Sequence, residues 1–156
     1  MMRGVTRRAL RICVMAIATM VVVPVLAQDD VPTRVFVIRG LRNDRGVVGG
    51  GIYADRDVWT HVGGQVAVCH APIHDGVARC VIRAPGPGTY SFAFLHDENE
   101  NGRMDTDALG LPQEGWGFGN DARGTLSAPS FESASYVFST GTPIERSLTV
   151  RYGLGI

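Results

Sequence analysis

From residue 33 onward, apolar residues recur at every second position in short runs, and the runs close on glycine, proline, asparagine or aspartate. No single motif constrains the fold as much, because a period of two places alternate side chains on opposite faces of an extended chain, whereas a helix needs about 3.6. Residues 33–41 are read as a strand with Val35 and Val37 inward and Arg34 and Arg39 outward, ending at the turn Asn43-Asp44-Arg45-Gly46. Residues 47–54 form a second run interrupted by Gly49-Gly50-Gly51, where a bulge or a close backbone approach is expected. Residues 55–64 read as irregular or as a short helix. The runs 65–71 and 77–84 flank the turn-forming cluster 72–76, and Pro85-Gly86-Pro87-Gly88 makes a further turn. Residues 89–96 then carry Tyr90, Phe92 and Phe94 on one face, and 133–140 and 144–152 close the series. The pattern predicts an all-β chain: a single antiparallel β-sandwich of about seven strands, with a long ordered loop, 97–132, between strands five and six.

The segment before the first run has a different character. Arg3, Arg7, Arg8 and Arg11 precede an apolar stretch, 12–26, that ends in Val25-Leu26-Ala27. A basic head, a short apolar middle and small residues at the expected cut describe a secretory signal peptide cleaved after Ala27. The stretch contains Pro24 and falls short of the roughly 20 apolar residues of a bilayer crossing, so no retained membrane anchor is expected. The expected location is outside the cytoplasm, periplasmic or extracellular, with residues 28–156 as one domain. Cleavage removes four arginines and leaves 11 against 15 acids, a net charge of −4. That balance excludes the basic excess of a nucleic-acid binder.

Cys69 and Cys80 remain after cleavage. They flank the 72–76 turn, which places them across a β-hairpin, and an exported protein meets an oxidising compartment. A structural disulfide is expected, worth about 3 kcal/mol on the chain-entropy argument. Their spacing is unlike the Cys-x-x-Cys of redox motifs.

The long loop opens with His96-Asp97-Glu98-Asn99-Glu100-Asn101-Gly102-Arg103-Met104-Asp105. Asp97, Asn99, Asn101 and Asp105 occupy positions 1, 3, 5 and 9 of a calcium loop, with Gly102 at position 6 and the Arg103 carbonyl at position 7. Such spacing turns alternate oxygens of a curled loop toward one centre, which suits a hard cation, so Ca2+ is the candidate cofactor. Ala108 stands where the bidentate acid belongs, so Asp107 or Glu114 would have to complete the shell. The competing reading is a solvated Asn-Gly turn with incidental acids.

Three blocks together, His96-Asp97-x-Asn99-x-Asn101-Gly102-x-x-Asp105, then Gly110-x-Pro112-x-Glu114-x-x-Gly117-Phe118-x-Asn120, then Pro129-x-Phe131-x-x-Ala134, resemble the bacterial exported proteins grouped as domain-of-unknown-function family 2141. The resemblance runs from about Val35 to Tyr152. It implies an exported β-sandwich, similar to transthyretin-like and carboxypeptidase-regulatory-like domains, with no established activity. Gly119 stands where the family usually has serine and Trp116 where another aromatic is commoner, while the cysteine pair looks like an addition of this chain.

Two further constellations carry weaker expectations. Asp97, Glu98, Asp105 and Glu114 supply the carboxylates that a periplasmic hydrolase would need, with His96 adjacent as a proton carrier. The stretch Gly115-Trp116-Gly117-Phe118-Gly119 either presents flat aromatic faces to a sugar or peptide or folds back to plug an open end of the sandwich, and the plug is the favoured reading. The functional expectation is a non-catalytic exported module that holds a cation in the Asp97 loop and meets a protein or glycan partner. The hydrolase is the alternative.

Overall fold

A computed structural model describes residues 31–124 and 127–154. The expected signal peptide, residues 1–27, lies outside the described residues. The strands are β1 (Thr33–Arg39), β2 (Val47–Tyr53), β3 (Ala67–His74), β4 (Val77–Arg83), β5 (Gly88–Asp97), β6 (Gly115–Phe118), β7 (Ser135–Phe138) and β8 (Ile144–Thr149). Short 3-10 turns occupy Arg56–Val58, Gly119–Asp121 and Glu132–Ala134. Among the described residues no helix is long and apolar enough to cross a membrane.

All eight strands belong to one sheet in the order β6-β5-β2-β3-β4-β1-β8. The edge of β5 is shared: β7 pairs with Gly88 to Ser91 and β6 with Ala93 to His96. Beyond β8 the chain returns to β6, where Trp116 and Arg151 exchange two backbone hydrogen bonds of 2.8 Å. The expected sandwich is therefore observed as a sheet rolled almost shut, like a barrel. The hydrogen bonding does not break between its halves, because β3 pairs with β2 up to Pro72 and with β4 at Ile73 and His74. Three expectations are corrected. There are eight strands, because β6 lies inside the segment expected to be loop. The sheet is not wholly antiparallel, because β8 runs parallel to β1. No bulge marks Gly49-Gly50-Gly51, since β2 stays in step with both neighbours from Val47 to Ile52.

Inward residues of the period-two pattern make the core, but on β1 the faces are the reverse of those expected: Phe36 and Ile38 join the core with Arg34 buried on the same side against Tyr136 and Phe138, while Val35 and Val37 lie outside it. Phe36 of β1 stacks on Phe92 of β5 across the interior, centroids 3.8 Å apart, and both are fully buried. Burying a side chain of this size contributes about 1.5–3 kcal/mol. Gly50 faces inward beside them, and a β-carbon there would meet Cys69 Sγ and the Phe92 ring at 2.9 Å. The hairpin turn is tighter than expected, only Asp75-Gly76, both with positive φ as a type I′ turn requires. The Cys69–Cys80 disulfide is present with a Cα–Cα distance of 5.7 Å. The two-pair register of β3 with β4 would set Ala71 opposite Cys80. The disulfide therefore joins the strands obliquely, where β3 leaves β4 for β2.

Candidate functional site

The outer face of the sheet carries a groove of about 630 Å3. The strand registers define its floor and walls. One row crosses the sheet as His70, Gly49, Leu95 and Trp116; the next row on the same face runs Val68, Gly51, Ala93 and Phe118. Side chains thus rise from β3, β5 and β6 but not from β2, leaving a trough over the glycines. Arg103, Met104, Leu111 and Pro112 of the β5–β6 connection border one end, and Thr60, Val62 and Gln65 the other.

The two glycines differ in what they exclude. At Gly51 a β-carbon would lie 2.5 Å from Gln65 Cγ, so that side chain already closes the far end. At Gly49 a β-carbon would meet no atom within 4 Å, and its φ is not in the left-handed region. Neither packing nor backbone conformation requires glycine there. Glycine inside a strand destabilises by about 0.5–1 kcal/mol relative to alanine.

Trp116 and Phe118 do not plug the barrel. Their strand buries Gly115 and Gly117 and turns both aromatics outward, half-buried, onto the groove. The reason lies beneath: a β-carbon on Gly115 would meet Val150 Cγ2 at 2.6 Å, and one on Gly117 would enter the Phe94 ring. Trp116 Nε1 donates to the Gly153 carbonyl at 3.0 Å, which sets the indole plane. Phe118 lies 5.7 Å from Trp116 and 5.8 Å from Trp59, so three rings form a continuous rail. Trp59 is in turn held by a 2.8 Å bond from Nε1 to the Pro129 carbonyl. Sequence reasoning missed Trp59, which stands alone in an aperiodic stretch.

The Asp97 loop forms the rim beside Arg103. Asp97, buried at the end of β5, accepts hydrogen bonds from the backbone N–H groups of Asn101 and Gly102 at 3.0 and 2.7 Å. The Asn99 and Asn101 side-chain amides both donate to the Asp105 carboxylate, at 2.6 and 2.9 Å. Those amides, Asn101 first, hold the Asp105 carboxyl below its ordinary range. Glu114, also buried, reaches back to accept from Glu98 N at 2.8 Å and Asp105 N at 3.2 Å. Asp107 instead caps its own turn by accepting from Leu109 and Leu111 N. Asp97, Asn99, Asn101, Asp105 and Glu114 are therefore brought together, joined through N–H groups. Arg103 N donates to Asn101 Oδ1 at 3.0 Å. Among the described residues no three acidic, histidine or cysteine side chains converge as a ready-made metal cluster.

The other groups of the carboxylate constellation face elsewhere. Glu98 turns to the β1–β2 loop, where Arg42, Asn43 and Arg45 donate to it. Burial opposes its ionised form, but the bonds from Asn43, Arg45 and Arg42 and the charge of Arg42 outweigh burial and bring its carboxyl down to about 2. His96 is fully buried between the Arg45 carbonyl, 2.9 Å from Nε2, and the Tyr152 hydroxyl, 2.8 Å from Nδ1. A carbonyl only accepts, so Nε2 donates to it, while Nδ1 pairs with the Tyr152 hydroxyl. His96 therefore holds the end of the barrel together and offers no ring nitrogen to the groove.

A family model described as "Uncharacterized protein conserved in bacteria (DUF2141)" matches residues 36–145, a span that includes the Asp97 loop and the groove apart from its Gly153 and Leu154 edge. No curated protein and no solved structure matches the chain.

Proposed function

The chain belongs to this uncharacterised bacterial family, and from that premise we propose that it is a non-catalytic binding module whose ligand lies over Gly49, outside the cytoplasm. The observation that carries this reading is Gly49 itself: an unstrained, mid-strand glycine over open space, flanked by His70 and Leu95, with Trp116 beyond Leu95. A residue with a side chain would stabilise the strand and fill the trough. Its absence is accounted for by what the trough must admit. The Cys69–Cys80 disulfide supports the location, since such bonds persist in oxidising compartments. The hydrolase alternative fits less well. A general acid needs a raised pKa, and Glu98 and Asp105 are both shifted toward ionisation. Backbone amide chemical shifts, with anilinonaphthalene sulfonate as probe, test the location. Perturbation centred on Gly49, Val68, Leu95 and the Trp116 indole is expected; perturbation confined to other faces of the barrel would contradict it.

A second reading concerns the rim. We propose that the Asp97 loop takes Ca2+ and that the ion stiffens one wall of the groove. The supporting observation is the return of Glu114 to Asp105 N, which brings a sixth oxygen-bearing residue to the place where Ala108 leaves a gap. Binding requires the two asparagine amides to turn their oxygens toward Asp105. At free calcium about 100 times Kd, one site adds about 2.7 kcal/mol. A rise in Tm that chelation reverses is expected, and an unchanged Tm at millimolar calcium would contradict the reading.

A further inference from the structure

We propose, resting on the groove reading above, that the ligand is a single-chain amphiphile: one acyl chain lies in the trough over Gly49, and its anionic head sits at the Arg103 end. The floor excludes ligands that need hydrogen bonds, because from Val47 to Ile52 the β2 backbone is laddered on both edges. The walls do the same. Val68, Leu95, Trp116 and Phe118 present carbon, and the indole N–H of Trp116 is already engaged by Gly153, which leaves His70 as the polar side chain of the Gly49 row. A sugar or peptide backbone would find few replacement partners for lost water along this stretch, at about 1–3 kcal/mol for each group left unsatisfied. An acyl chain loses nothing comparable and gains burial against the aromatic rail.

The width fits one chain. β3 and β5 flank β2 at two strand spacings, roughly 10 Å apart, and their side chains narrow that gap. Charge orients the occupant. Arg103 is exposed at the Asp97-loop end and pairs with Asp105 only loosely, at 3.8 Å.

The test is titration with laurate below its micelle concentration, followed by tryptophan fluorescence, beside dodecyl maltoside and maltohexaose. Laurate is expected to bind, and maltohexaose to give no change. Gly49→Val should weaken laurate by at least about tenfold, and Val68→Glu, at an exposed wall position, should weaken it without disturbing the core. Arg103→Gln should weaken laurate about two- to fivefold, as for an exposed ion pair, and leave dodecyl maltoside unchanged. Maltohexaose binding that Gly49→Val abolishes, with laurate silent, would overturn the amphiphile and leave the groove standing. Silence from all three probes, or equal laurate binding by wild type and Gly49→Val, would overturn the groove as well.

Discussion

Gly117 lies against the ring of Phe94, so close that a β-carbon on Gly117 would stand 2.6 Å from Phe94 Cε1 and nearer still to Cζ. Phe94 is a buried residue of the neighbouring strand and has no room to withdraw. Gly117→Ala should therefore push β6 off the barrel and cost about 1–3 kcal/mol, the range for overpacking a filled core. Urea unfolding measures the loss. Because β6 carries Trp116 and Phe118, the same substitution should also alter the tryptophan emission of the folded protein.

Acid should weaken the fold through Glu98. Its carboxyl is held at about 2 in the folded chain against an ordinary 4.5. Between those values the unfolded chain takes up a proton that the folded chain refuses, so stability falls as pH drops from about 4.5 and the contribution is fully lost near pH 2. The contribution is on the order of 2 kcal/mol, after allowing for solvent around the exposed Arg42 and Arg45. Thermal melts from pH 7 to pH 2 should show a shallower acid limb for Glu98→Gln than for wild type. Parallel limbs would remove Glu98 as a source of the pH dependence.

The oblique disulfide should matter mainly through the unfolded state. It closes a sequence separation of 11 residues, and a loop of that size is worth about 3 kcal/mol on the chain-entropy model. Reduction of the wild type, or Cys69→Ala with Cys80→Ala, should lower the urea midpoint accordingly. The denaturant slope should rise, because the unlinked unfolded chain exposes more surface.

The strands that were legible in the sequence are those whose inward residues are large. Tyr90, Phe92 and Phe94 mark β5, and the apolar alternation around Cys69 and Cys80 marks β3 and β4, because burial writes itself as bulk at every second position. β6 escaped for the opposite reason. Its inward positions are Gly115 and Gly117, which pack by having no side chain, and its large residues point outward, so the pattern reads as an aromatic loop. The groove floor was hidden in the same way, since three consecutive glycines look alike although Gly50 serves the core and Gly49 the surface. The parallel pairing of β8 with β1 depends on contacts 110 residues apart, from Arg34 to Ile144, and no local period encodes it. The Asp97 loop was legible in its spacing, while the return of Glu114 depends on the β6 pairing and was open until the fold was known.

The measurement that bears most directly on the groove is Gly49→Val, read for stability and binding on the same sample. Open space above Gly49 and an unstrained backbone mean that the added β-carbon meets nothing within 4 Å, and a β-branched residue improves strand propensity. The urea midpoint should rise, by a stability gain of about 0.5–1 kcal/mol, while the fluorescence enhancement of anilinonaphthalene sulfonate expected with wild type should be lost. A variant that is less stable, or one that is more stable and still enhances the probe as wild type does, would contradict the assignment of the ligand site to the trough over Gly49.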